Sequence, residues 1–436
     1  MKVLHLPAET GTGHNMRALA VAAKVRRLFP GAEQHVYLGS KSALFTPMFE
    51  ALGVHVHTAS DQRDHANTSQ LARHFDWASY VTGYLNHTFI SGDRMLAAIA
   101  LIGSVRPDVV VSDYNVAACL AAEISGVPYV LITERYDFTL GQIDNAALLE
   151  AGFVLDDPEE VDAIRTSLTT LFAWVTRRAR AVLTDKPSVP ELDRGTPVFE
   201  ALAAGNGHVV GPIVRDECAA DPAPRAEIDD RFGLHGAEYA IVGFGGTTMF
   251  TENKERLLRE YLTAFEKLRA DRPDARLVVI GRQTFSEEID GVLLVDYVAD
   301  WHSLVKHAKV ILSPPGWLSV TELAVMDAPV AYVLSGRDEY HEREAMTRLG
   351  HLGYTTATEP DAETLLAVLR TAFEEPDAFR ARASEASRAI APTGNGAEAA
   401  AKFIGQVVAE ASAYRKPVHL EPVHLEPVHP EPVEAV

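Results

Sequence analysis

The stretch from Val310 to Leu334 constrains the fold more than any other. Val310-Ile311-Leu312 is a short apolar run of strand type, and Ser313-Pro314-Pro315-Gly316 breaks it. A helical pattern runs from Trp317 to Met326, and Pro329 ends it before a second apolar run, Val330 to Leu334. Two buried strands joined through one helix pair in parallel, so this unit demands a sheet covered on both faces. The turn also has a chemical consequence. The first N–H groups of the helix lack partners within it and point at the mouth of a cleft, where a phosphate fits. Glu322, about a turn and a half into the helix, is placed to accept both hydroxyls of a ribose.

The same rhythm recurs along the chain. Lys2–Leu6 reads as a strand, Pro7–Gly13 as a loop, and a helix begins near His14, with apolar residues at Met16, Leu19, Ala20, Ala23 and Leu28. Strands follow at 35–38, 54–58, 108–113, 129–133, 181–184 and 208–212, with helices over 43–52, 117–124 and 159–180. The polar segment 213–236, with Pro222 and Pro224, reads as an interdomain linker. A second series runs through 239–242, 254–269, 276–280, 292–295 and 301–307 to the opening unit, then through helices 361–373 and 377–390. The expected fold class is therefore α/β, with two Rossmann-like, doubly wound domains (1–212 and 237–395) facing across a cleft. A last helix, within 396–416, has no strand after it and is expected to cross back to the first domain. Residues 417–436 repeat Pro-Val-His-Leu-Glu, and proline at every fifth position excludes helix and sheet, so a disordered tail is expected.

Residues 61–104 interrupt the rhythm with a helical, aromatic and histidine-rich insertion, suited to cover the sheet or to wall a ligand pocket. The net charge of −20 excludes nucleic acid and anionic membrane surfaces as partners. Leu168–Val182 with its arginines reads as an ordinary amphipathic helix, not a membrane anchor. Two cysteines, no apolar leader and no membrane-length run point to a cytoplasmic protein. A homodimer is compatible with all of this.

Loops after strands carry chemistry in such folds, and four of them stand out. Thr10-Gly11-Thr12-Gly13-His14 follows the first strand. Its glycines allow close backbone approach, and a helix N-terminus disfavours positive charge on His14, which suits the ring to accept a proton. Asp113 ends the fourth strand and would fix the His14 tautomer, or else cap the following helix. Glu134 ends the next strand, ready to bind acceptor hydroxyls or to cap its loop. Gly243-Phe244-Gly245-Gly246-Thr247-Thr248 offers backbone N–H groups and hydroxyls to a pyrophosphate; it lacks the third glycine of a dinucleotide fingerprint and the lysine of a P-loop.

Together these motifs resemble the nucleotide-sugar glycosyltransferases of the GT-B fold. Ser313-Pro-Pro-Gly316-Trp317-Leu-Ser319-Val-Thr-Glu322 is similar to the box of plant UDP-glycosyltransferases and to the peptidoglycan N-acetylglucosaminyltransferase. Asp296–Asp300, with Val298, resembles the segment that brackets the nucleobase there. Thr10–His14 resembles the loop of the peptidoglycan enzyme and the galactolipid synthases. The resemblance implies an inverting, metal-independent transfer from a UDP-sugar, with no further cofactor, to a soluble small-molecule acceptor such as a natural-product or aminosugar intermediate. His14 would be the base and Asp113 its partner. Gly245, Gly246, Thr247, Thr248, Val298, Gly316, Trp317, Ser319 and Glu322 would hold the nucleotide, and Gly13 and Glu134 would border the acceptor. The sequence departs from the pattern at several positions. Pro314 replaces a phosphate-binding His, and Asp300 replaces a Gln. Tyr340-His341 stands where an Asp-Gln pair reads the donor sugar, and Glu344 replaces the Asn that follows. A UDP-sugar 2-epimerase and a non-catalytic nucleotide-sugar-binding subunit are the alternatives.

Overall fold

The structure, a computed structural model, describes residues 1–8, 12–58, 74–75, 90–243, 251–281, 289–295, 298, 301–392 and 395–414. The sites expected at Gly245, Gly246, Thr247 and Thr248, most of the 61–104 insertion and the repeat tail lie outside the described residues.

The strands of the first half are β1 (Lys2–Pro7), β2 (Glu33–Leu38), β3 (His55–Thr58), β4 (His74–Phe75), β5 (Val109–Asp113), β6 (Tyr129–Ile132), β7 (Val154–Leu155), β8 (Ala181–Thr184) and β9 (Gly207–Val209). Seven form one sheet in the order β3-β2-β1-β5-β6-β8-β9, and every pairing is parallel. β4 and β7 form a separate short pair. The second half contributes β10 (Tyr239–Gly243), β11 (Arg276–Ile280), β12 (Val292–Val295), β13 (Val310–Ser313), β14 (Val330–Val333) and β15 (Thr355–Ala357), a parallel sheet ordered β12-β11-β10-β13-β14-β15. The chain is thus an α/β protein with two Rossmann-like sheets.

Strand periodicity of two decides what each face meets. Leu4, Leu6, Val110, Leu131 and Val182 point to a core shared with Val116, Val161, Ile164, Leu168 and Phe172 of the helices Val116–Ile124 and Pro158–Arg178. The apolar face of the latter helix is therefore taken up by the core. Val3, Val109, Val111, Ile132 and Leu183 point the other way, onto Val21 and Val25 of the helix Thr12–Leu28 and onto Ala397, Ala400, Ile404 and Val407 of the final helix, Gly396–Tyr414. That helix follows the second sheet in sequence yet packs on the first.

Two local readings of the sequence are revised. A single helix over 43–52 is instead a 3-10 turn, Ser40–Phe45, and a helix, Thr46–Ala51, because Pro47 is tolerated only in a first turn. The segment 213–236 is not an open linker. It holds a helix, Arg225–Phe232, and seats Val214, Cys218, Ile228 and Leu234 in the core of the second domain.

In each sheet the strand order reverses once, between β1 and β5 and between β10 and β13. At such a switch point adjacent loops leave in opposite directions and open a crevice at the carboxyl ends of the strands. His14 follows β1 and Asp113 ends β5; Gly316 follows β13. The topology alone therefore sets the candidate groups at the two crevices.

Gly396 shows how tightly the last helix is seated. Its N–H donates to the Pro212 carbonyl at 2.5 Å, and a Cβ there would run into the carbonyl oxygens of Val210 and Gly211. Gly396→Ala is expected to cost about 1–3 kcal/mol in urea unfolding. Gly92→Ala, at an exposed position with open space around it, serves as the control.

Candidate functional site

The first crevice holds a buried charge cluster. His14 Nδ1 lies 2.7 Å from Asp113 Oδ1, and both residues are buried. Arg17, one turn along the same helix, grips the other side of Asp113: its Nε donates to Oδ2 at 2.9 Å and its Nη2 to Oδ1 at 2.6 Å. The same Nη2 reaches Glu134 Oε2 at 2.5 Å, while Nη1 lies 3.9 Å from Asp185 Oδ2. Arg17 is only 2% exposed and Asp185 1%. Neither carboxylate oxygen of Asp185 accepts a hydrogen bond from a described residue.

One guanidinium thus faces three carboxyl groups, and their ionisation divides accordingly. Burial works against the Arg17 charge, but Asp113, Glu134 and Asp185 outweigh it and hold its pKa well above the ordinary value. Burial likewise opposes the Glu134 charge, yet Arg17, His14 and Arg135 keep that carboxyl far below its usual range. For Asp185 burial wins over Arg17 and pushes the carboxyl up to about 7. The Arg17 contacts also settle how His14 is bonded. Arg17 Nη2 lies 2.9 Å from Nδ1 and is itself a donor, so it gives its hydrogens to the carboxylates, and Nδ1–H donates to Asp113. The Nε2 lone pair is then available to take a proton. Tyr114, in the left-handed region at φ 49°, stacks its ring parallel to the imidazole, with centroids 6.0 Å apart.

His14, Asp113 and Glu134 could in principle hold a metal ion, since their ligand atoms lie within 4.8 Å of one another. Arg17 Nη2 already sits 2.5–2.9 Å from all three. A guanidinium occupies the point on which the three groups converge.

The second crevice faces the first. A Cβ on Gly13 would meet Leu318 Cβ at 3.5 Å, so the His14 loop abuts the helix Trp317–Val325. Gly316 is exposed and caps that helix, with open space beside it, and Ser319 is partly exposed. Trp317 is buried; its indole N–H has no partner among the described residues, and the Lys186 ammonium sits 4.4 Å from its ring centroid. Val298 is buried in the same core as Trp317. Glu322 is 6% exposed and pairs with Arg215 Nη2 at 3.3 Å; burial raises its pKa against the pull of Arg215.

Tyr340 and His341 begin the helix Tyr340–His351. Tyr340 is 1% exposed and belongs to the core of the first domain, its ring edge-on to Phe153 at 5.3 Å. His341 is partly exposed, and burial and Arg135 hold its pKa down to about 3, so it is neutral. Their helix, Tyr340–His351, is an interdomain clasp. Arg348 forks onto Asp193 at 2.9 and 2.5 Å, and Glu344 receives Lys186 at 2.7 Å and Arg348 at 2.6 Å. Burial opposes the Glu344 charge, but the two cations bring it to about 2. A cavity of about 540 Å³ lies beside this clasp, between Phe153 of one domain and Asn253, Arg256, Arg337 and Asp338 of the other.

Arg17, Asp185, Lys186 and Tyr114 escaped the sequence reading. Two signals were present. Arg17 stands four residues before Val21 and eight before Val25, in the buried stripe of its helix. Asp185 ends β8 as Thr184-Asp185, in phase with Ser112-Asp113 and Thr133-Glu134.

Removing the guanidinium strands three acids, so Arg17→Met is expected to destabilise the fold by about 3–5 kcal/mol, read from chemical denaturation. Asp185 gives a pH signature. Its folded pKa lies above the unfolded value of about 3.9, so the folded chain keeps a proton that the unfolded chain loses. The stability tied to that proton is complete below about pH 4 and is lost as pH rises through about 7. Asp185→Asn abolishes that loss, so its melting temperature relative to the parent should rise between about pH 5 and about pH 8. A constant difference would mean that Asp185 is ionised throughout.

No protein-family model matches the chain, and no curated protein matches it. Solved structures match along nearly its whole length. The spinosyn forosaminyltransferase SpnP aligns with a TM-score of 0.60 at 16% identity, covering 93% of this chain and 99% of its own. UGT2 of Phytolacca americana, solved with UDP-2-fluoro-glucose and pterostilbene, aligns at 0.62 and 15%, covering 94% and 99%. A putative UDP-N-acetylglucosamine 2-epimerase from Listeria monocytogenes aligns at 0.59 and 13%, covering 93% and 94%. Identities this low speak for architecture, and the architecture shared with these proteins is the GT-B fold: two parallel Rossmann-like sheets, of seven and six strands here, joined across a cleft.

Proposed function

We propose that the chain is an inverting, metal-independent glycosyltransferase. It moves a hexosyl or N-acetylhexosaminyl group from a UDP-sugar to a hydroxyl of a small-molecule acceptor, a natural-product or aminosugar intermediate. The observation that carries this reading is the 2.7 Å contact of His14 with Asp113 at one switch point, facing the Gly316–Glu322 helix start at the other.

In the proposed step the acceptor O–H proton passes to His14 Nε2 as the oxygen attacks the anomeric carbon. The bond from that carbon to the diphosphate oxygen breaks, UDP leaves with the electron pair, and the anomeric centre inverts. Asp113 stabilises the imidazolium, and the two hydrogen bonds from Arg17 fix Asp113 in place. The unpaired N–H groups at Gly316–Ser319, with Gly245, Gly246, Thr247 and Thr248, would neutralise the departing diphosphate. Glu322 would receive the two ribose hydroxyls beside Arg215, which favours a ribonucleotide such as UDP over a deoxyribonucleotide. Trp317 and Val298 would support the base side. Gly13 and Glu134 would border the acceptor, and Tyr340 with His341 would shape the sugar end of the cleft from its wall. The solved spinosyn rhamnosyltransferase SpnG carries thymidine diphosphate and UGT2 a UDP-sugar, so the fold accepts both nucleotides.

The epimerase match motivates one rival. UDP-N-acetylglucosamine incubated without an acceptor separates the two, because only an epimerase converts it.

His14→Ala should lower turnover by about 10²–10⁴-fold while UDP still raises the melting temperature. Turnover at the parent rate would remove His14 from the role of base. Glu322→Gln should weaken UDP binding by about 10-fold or more and affect deoxythymidine diphosphate less. Equal losses for both nucleotides would detach Glu322 from the ribose.

A further inference from the structure

At the edge of the first sheet, away from both crevices, β2 and β3 carry a cluster that glycosyl transfer does not use. Among the described residues β3 is the outermost strand, and its register sets His35 opposite His55 and Tyr37 opposite His57. Strand alternation puts His35, His55 and His57 on one face, joined by Glu33. His35 Nε2 lies 2.8 Å from Glu33 Oε1, and His35 Nδ1 lies 3.0 Å from His57 Nε2. The His35 ring stacks with His55 at 4.9 Å and with His57 at 5.3 Å between centroids.

The carboxylate fixes the tautomer. Glu33 Oε1 also lies 3.1 Å from the Lys2 ammonium, and a carboxylate oxygen paired in this way accepts. His35 Nε2 must then carry the hydrogen, which leaves a lone pair on Nδ1 and makes His57 the donor between the two rings. A single proton separates two imidazole nitrogens. Metal-bound imidazole nitrogens lie about 2.0–2.1 Å from the ion, and two of them at a tetrahedral or square angle stand about 2.9–3.4 Å apart by the same geometry. The 3.0 Å spacing falls within that range. Glu33 behind His35 is the carboxylate that commonly orients and strengthens a ligating imidazole. His55 is exposed and stacks on the His35 ring beside that point.

We propose that His35 and His57, oriented by Glu33 and joined by His55, form a site for a divalent transition-metal ion that prefers imidazole, of the zinc, nickel or copper type. Such an ion would staple the edge strand β3 to β2.

The test uses the full chain carrying His419→Asn, His424→Asn and His429→Asn, which removes the histidines of the repeat tail as competing ligands. Zn²⁺ and Ni²⁺ are titrated separately by calorimetry, with the melting temperature followed alongside. One ion per chain is expected, with a higher melting temperature. His57→Gln and His35→Asn should each weaken binding by about tenfold or more, Glu33→Gln by about 10–100-fold, and exposed His55→Ala by less than either ring of the pair. Circular dichroism identical to that of the parent establishes that the His57→Gln and His55→Ala chains are folded. Absence of binding in the tail-substituted chain would overturn the proposal. So would an isotherm unchanged by both His57→Gln and His55→Ala.

Discussion

The arrangement of the first crevice depends on the Arg17 guanidinium. Putting a cation and three carboxyl groups out of water costs several kcal/mol per ion unless each charge is met. The structure meets the cost unevenly. Asp113 takes two hydrogen bonds from Arg17 and Glu134 takes one, whereas Asp185, 3.9 Å away, accepts none from a described residue, and burial pushes its carboxyl up to about 7. Three strand ends are thereby tied to the start of one helix. His14 lies one turn before Arg17 on that helix, so its ring is placed by the same clamp that fixes its carboxylate partner. Positioning of this kind governs whether an imidazole can act as a base at all, because a misplaced proton acceptor forfeits most of its rate advantage.

The clamp also accounts for which parts of the site could be read in the sequence. Strands, helices and the two switch points follow from apolar runs and their breaks, as at Val109-Val110-Val111 and Val310-Ile311-Leu312. Asp113 and Glu134 stand out because they end such runs. Asp185 follows one in the same way, but Ala181–Thr184 is short and its loop carries no glycine, so its signal is the weaker one. Arg17 was hidden for a different reason. A charged residue in a helix of alternating polarity is ordinarily solvated, and only the partners gathered from β5, β6 and β8 make its burial favourable. Those partners lie 96 and more residues away, beyond the reach of any local pattern.

Tyr340 shows that position along a chain does not determine which domain a side chain joins. The helix Tyr340–His351 turns Tyr340, Glu344 and Arg348 toward the first domain, and Asp193, Lys186 and Phe153 receive them. Four charged groups that would be costly alone, Lys186, Glu344, Arg348 and Asp193, form a closed set there, with Arg348 fully buried against Asp193. The same helix thereby holds the two domains together.

The two devices meet in one dipeptide. Asp185 faces Arg17 beneath the first crevice, and its neighbour Lys186 reaches Glu344 and the Trp317 ring in the second domain. A strand end two residues long therefore touches the group that orients His14, the clasp that sets the domains, and the first residue of the helix that would cradle a diphosphate. Any change in the angle between the domains must move Lys186 or break its contacts, and Asp185 moves with it. The coupling is mechanical and local: the His14–Asp113 pair of one domain and the Trp317 helix start of the other are held in register through two adjacent residues, Asp185 and Lys186, that follow β8.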